Sequence, residues 1–249
     1  MANLPLANLL HHKLRSVLSA LGIGMGICML VTLSGLSRGS LFEIAERAES
    51  VNADLKPRYN IAPTQDVPVI FNHSPKTLAE AKWGLPANWH GPGGADKLLF
   101  NARMETIDQK PVFRKDFTER RCLMLADSFY EWKHPEKKPF RVFMKDGGMF
   151  AFAGIYAQIN GKRACCMITT APNELISTVH IRMPVILPSG KEKVWLGLDD
   201  SEAKAMLKPY PAGKMSMYEV SSKVNSSRND SADLIKPKTD KGTLKEWMK

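Results

Sequence analysis

The amino-acid sequence predicts a strand-dominated α+β fold, and three observations carry that expectation. Short runs of β-branched, aromatic and other apolar residues recur at 67–71, 98–100, 121–126, 140–144, 149–156, 163–170, 184–187 and 215–221, with Pro- and Gly-rich connections such as HGPGGAD at 90–96. Helical spacing is confined to short pieces near 77–82, 172–179, 190–196 and 201–207. The chain also lacks a βαβ rhythm, a GxGxxG fingerprint and an internal repeat, which favours mixed or antiparallel sheets with short flanking helices over a parallel sheet.

Taken in order, the first element is apolar. Residues 17–36 carry no charge, with His11, His12, Lys13 and Arg15 before them and Arg38 after. A stretch of this length matches a bilayer span. Three readings fit: a transmembrane helix with a cytoplasmic amino terminus, a signal peptide, or a buried helix. Gly22, Gly24 and Gly26 weaken a soluble helix but are tolerated in membranes, and no clear A-x-A cleavage site follows, so the membrane reading is favoured. Residues 3–39 resemble the first membrane segment of transporter permeases of the FtsX/MacB type. No other part of a permease follows, so residues 1–39 read as an apolar segment joined to an unrelated domain, by a natural fusion or an artefact.

Composition changes at Ser40. Ser40 and Glu43 fit a capping box, and Leu41, Ile44, Ala45 and Ala48 recur at helical spacing to about Ser50. The strands and short helices named above follow, giving a domain over 40–237 and a basic tail over 238–249. The formal net charge is +10, of which residues 1–40 supply three basic side chains and no acid, leaving +7 on the rest. A basic globular part suits a polyanionic partner. Cys28, Cys122, Cys165 and Cys166 form no CxxC or Cys/His spacing, so no metal site is expected. In a strand, Cys165 and Cys166 point to opposite faces, where a bridge between them would be strained; they read as core thiols.

Four polar motifs stand out: RYNIAPT at 58–64, NARMET at 101–106, FYEWK at 129–133 and HIRMP at 180–184. His180 falls in a turn ended by Pro184, with a side chain suited to proton transfer near neutrality, although such a histidine is also commonly structural. Arg182 is either a phosphate fork or a surface charge. Glu131 lies between Tyr130 and Trp132, where desolvation would raise its pKa into a useful acid–base range; the alternative is a strand glutamate paired with Lys133. If 101–106 is extended, Asn101 and Arg103 share a face, with Glu105 as the internal partner of Arg103. Trp83 reads as core and Trp89 as a base-stacking contact. Asn60 reads as a turn brace beside Pro63.

Five motifs in order, RYNIAPT, WG…NARMET, DSFYEWK, TTAPNELISTVHIRMPVIL and SSKVNSSRND, resemble the SRAP family of SOS response-associated peptidases, also called abasic-site processing proteins. The resemblance covers residues 40–237. It implies an abasic site in single-stranded DNA as substrate, no cofactor, and a monomer at the nucleoid in the cytoplasm, or at the inner membrane if 17–36 is a span that touches the bilayer. In the family, self-directed peptidase activity exposes an N-terminal cysteine whose amine condenses with the abasic aldehyde and whose thiol closes a thiazolidine. By the resemblance Asn101 orients the reacting terminus, Glu131 handles protons at the amine and His180 helps open the deoxyribose. Arg103, Arg182, Trp89 and Asn60 are the expected DNA-binding residues. The chain departs from the family at its nucleophile: the Cys-Gly-Arg-Phe opening aligns with 36–39, which puts Leu36, with a peptide-bonded nitrogen, in the cysteine's place.

Overall fold

In a computed structural model of the chain, the residues described are 50–52, 57–87, 98–159, 161–197 and 199–238. The expected helix after Ser40, the apolar segment over 1–39 with Cys28 and Leu36, the loop bearing Trp89, and the tail beyond Lys238 lie outside them. Among the described residues no helix is long and apolar enough to cross a membrane.

The larger sheet contains β1 (Ser50–Asn52), β2 (Asp66–Phe71), β3 (Ser74–Trp83), β6 (Asn101–Arg103), β7 (Arg121–Ala126), β10 (Phe150–Ile159), β11 (Lys162–Thr170) and β12 (Met183–Pro184). Between β3 and β6 run the short paired strands β4 (Leu85–Pro86) and β5 (Leu98–Leu99). β3 pairs β2, β2 pairs β7, β7 pairs β10 and β10 pairs β11, all antiparallel, and β11 returns to β3 in parallel through Ala164↔Lys82 and Cys165↔Trp83. The sheet therefore closes into a five-stranded barrel, which leaves little free edge. Val69, Phe71, Met124 and Phe152 are buried on one face of the sheet, and Leu123, Ile155 and Ile168 on the other. β7 and β10 pack so closely that a Cβ on Gly154 would stand 2.9 Å from Cys122 Sγ. Cys122, Cys165 and Cys166 are free and buried, and burial raises all three thiols above the ordinary range, consistent with core thiols.

A second, antiparallel sheet of β8 (Ser128–Lys133), β9 (Lys138–Met144) and β13 (Met215–Glu219) continues directly from β7. The helices are short: α1 (Pro111–Glu119), α2 (Glu192–Leu196) and α3 (Asp200–Ala205). Asp199 caps α3, its carboxylate accepting the Glu202 amide at 2.9 Å. Arg121, fully buried, donates to Asp200 and to the Gly197 carbonyl, tying β7 to the α2–α3 corner.

The strand-rich α+β class holds. Three element expectations are corrected. The helix expected near 77–82 is the middle of β3. Along it Ala79 and Ala81 are buried while Glu80 and Lys82 are exposed, a period of two. Pairing with neighbours on both sides overrides the helix preference of Leu, Ala, Glu and Lys. The helix expected over 172–179 is a single 3-10 turn at Ile176–Thr178, started by Asn173, whose side-chain oxygen accepts the Ile176 amide at 2.9 Å. The strand expected over 184–187 is only Met183–Pro184, although Val185 and Leu187 still exchange backbone hydrogen bonds with β10. Helix α1 was not expected. Pro111 at its start and Phe113 and Phe117 on its buried face are its sequence marks.

Candidate functional site

The end of β11 organises a cleft. β6 runs parallel to β11 with Arg103 opposite Thr169, while β12 pairs on the other side with Pro184 opposite the same threonine. NARMET and HIRMP, about eighty residues apart, are thus brought to the two flanks of one strand end. Within β6 the strand alternation leaves Asn101 and Arg103 exposed and Ala102 buried, as expected for two polar groups on one face. Strand β8 supplies the third wall. Phe129 packs edge-on against Phe150 and Phe152, and Glu131, two residues on, is carried on the same inward side.

The result is a cavity of about 870 Å³ lined by Asn60, Asn101, Arg103, Glu131, His180 and Arg182, with Met124, Phe152, Met167 and Trp83 among its apolar walls. Trp83 is also packed against the core and donates its indole N–H to the Phe100 carbonyl at 2.9 Å.

Glu131 has a side chain only 16% exposed, and loss of water raises its pKa to about 7, against the opposing pull of His180. Glu131 Oε2 lies 3.7 Å from His180 Nδ1, an ion-pair distance once the imidazole is protonated. His180 Nδ1 also faces the Arg182 carbonyl at 2.9 Å and the Arg182 amide at 3.2 Å. With its proton on Nδ1 the ring donates to that carbonyl; with the proton on Nε2 it accepts from the amide. The turn supports either tautomer, which suits a group that takes up and returns a proton.

The arginines differ. The Arg103 side chain makes no hydrogen bond or ion pair with any described residue and is exposed at the cleft. Arg182 is committed to the protein: its fork donates to both Glu105 oxygens at 2.6 and 3.0 Å and to the Thr169 carbonyl at 2.7 Å. The hydrogen-bonded partner of Glu105 is thus Arg182 and not the expected Arg103, whose charge acts on Glu105 without a hydrogen bond, and the Arg182 fork is engaged within the protein. Hydrogen bonding from Arg182 holds the Glu105 carboxyl below its ordinary range.

Asn60 is a brace. It is buried, and its amide donates to the carbonyls of Val224, Ser226 and Asn229 at 3.0–3.1 Å. Asp230 reciprocates, accepting from the backbone amides of Tyr59 and Asn60 at 2.5 and 3.1 Å and from Arg58 Nε at 2.5 Å. Its Nδ2 is thus engaged within the protein, as the sequence reading of a turn brace expects. RYNIAPT and SSKVNSSRND are two halves of one clasp, and Tyr130 and Trp132 on the outer side of β8 hold it through Tyr59 O and Asn225 Oδ1. Asp230 received no role from the sequence; an Asn/Asp-rich run whose side chains bond to backbone was its signal. His134, whose ring centroid lies 6.3 Å from that of His180, and the exposed Ile181 also stand beside the site without a sequence signal of their own. Among the described residues no cluster of His, Cys, Asp and Glu is arranged to hold a metal.

The family model for SOS response associated peptidase (SRAP) matches residues 30–227. The abasic site processing protein YoqW of Bacillus subtilis is 42% identical over 191 residues, covering 72% of this chain and 85% of that protein. The abasic site processing protein HMCES of Xenopus tropicalis is 27% identical over 221 residues, covering 72% and 66% of the two chains. A crystal structure of a protein from Bacteroides thetaiotaomicron superposes with a TM-score of 0.70 at 25% identity, covering 82% of this chain and 97% of that one.

Proposed function

The chain belongs to the SRAP family, and from that premise we propose that it processes abasic sites in DNA by seating the damaged sugar of a single strand in the cleft between β6, β8 and the 180–182 turn. The observation that carries the reading is the meeting of Asn101, Glu131 and His180 in one cavity with Arg103 at its surface.

The chemistry follows from the groups. An abasic deoxyribose is a cyclic hemiacetal, and opening it to the aldehyde moves the anomeric hydroxyl proton to the ring oxygen. One group removes a proton and another delivers one, with no net change. Glu131, with its pKa near 7, and His180, 3.7 Å away, form such a pair at neutral pH. Asn101 orients the opened sugar by hydrogen bonding. Arg103 meets a backbone phosphate, and Trp89 stacks on a neighbouring base. Arg182 acts through its neighbours, pinning the turn that carries His180.

Thiazolidine formation requires an amine and a thiol on one terminal residue, and Leu36 provides neither. The proposal is therefore recognition and sugar opening on a non-covalently held single strand, without the family's covalent link; the alternative is a single-stranded DNA-binding module with no chemistry of its own. The mode of binding is tested with Arg103→Glu and an oligonucleotide carrying a tetrahydrofuran abasic analogue. Charge reversal at a phosphate contact should weaken binding roughly tenfold or more. Unchanged affinity would remove Arg103 from the DNA path and with it this placement of the strand.

A further inference from the structure

Ile181 is 81% exposed, the large hydrophobic side chain that stands out in solvent among the described residues. A single exposed isoleucine is ordinary on a protein surface. Its position is what calls for an explanation, because the residues on either side, His180 and Arg182, both line the cleft.

The backbone that presents it is fixed. The His180 amide donates to the Ile176 carbonyl at 2.8 Å, the Arg182 amide reaches His180 Nδ1 at 3.2 Å, and the Arg182 fork is tied to Glu105 and Thr169. A β-branched side chain on such a turn loses little further freedom when it packs against a ligand. The turn therefore holds a stiff apolar side chain out in solvent between two residues that line the cleft.

We propose that Ile181 is a specificity-determining residue that fills the gap left by the missing base, packing against the base next to the abasic sugar. The inference rests on the reading of the cleft as a site for abasic single-stranded DNA. Removal of a base leaves an apolar space between its stacked neighbours, bounded by aromatic faces. An aliphatic side chain gains burial there, as apolar wedges do between base steps elsewhere. In an intact strand the same space is occupied, so the contact is lost and the strand is displaced from the turn.

The test is equilibrium binding by fluorescence anisotropy, using the full chain and two single-stranded oligonucleotides of one sequence, intact or with a tetrahydrofuran analogue. At a position so exposed, Ile181→Asn disturbs no packing, and Ile181→Leu keeps an apolar knob. Ile181→Asn should lose roughly tenfold in affinity for the abasic analogue, equivalent to about 1.4 kcal/mol, and clearly less for the intact strand, while Ile181→Leu keeps most of the preference. Equal losses on both strands, or none, with the wild-type preference intact, would overturn the role of Ile181 alone. A wild-type protein with no preference for the abasic strand would overturn the substrate reading and this inference together.

Discussion

Glu131 owes its character to its place on β8, facing inward beside Phe129 with little access to water. Its carboxyl therefore keeps a proton to about pH 7, where an ordinary glutamate has lost it. Because the folded-state pKa is raised, the stability from this group is fully present below about pH 4.5 and lost as pH rises to about 7. Glu131→Gln should remove that slope, gaining on the order of 3 kcal/mol relative to wild type above pH 7, read by urea denaturation at pH 5 and pH 8. An equal effect at both pH values would show that Glu131 does not titrate between them and would contradict a pKa near 7. At this scale the sequence was informative where a residue's surroundings are local: the aromatic neighbours of Glu131 foretell its desolvation, and strand alternation foretells the shared face of Asn101 and Arg103. It was uninformative for the partners of Asn60 and Arg182. Asn60 bonds to carbonyls up to 169 residues away and Arg182 to a carboxylate 77 residues away, contacts no local pattern records.

The elements divide along the same line. Strands β7, β10 and β11 were legible because continuous apolar runs bounded by turn residues survive any tertiary context. β3 was not, because KTLAEA is composed of helix formers, and only its neighbours in the barrel make it a strand. The clasp between 58–60 and 224–230 is likewise tertiary, and it makes a prediction of its own. Asn60→Ala leaves three buried or half-buried carbonyls without their donor. The cost should be about 2 kcal/mol in chemical denaturation, with faster amide exchange over 224–230. Full protection of that segment in the variant would mean that Asp230 and Trp132 hold the clasp unaided.

At the scale of the molecule, closure of β3 onto β11 is what makes one cleft from scattered motifs. The closed barrel fixes the end of β11, and NARMET and HIRMP attach to its two sides. The strand-rich class was readable from composition and spacing, whereas closure depends on a two-residue parallel pairing with no signature of its own. The positive charge outside residues 1–40 gives the whole domain an attraction for a phosphate backbone, while in the proposed function the choice of an abasic strand belongs to the cleft. The central claim is that this chain recognises abasic DNA through the family's pocket while Leu36 forgoes the covalent bond. It is tested most directly by mixing the full chain with a single-stranded oligonucleotide carrying a true abasic site and running native and denaturing gels in parallel. A retarded band on the native gel that vanishes under denaturant is the predicted result; a band that survives denaturant, or none on the native gel, would contradict it.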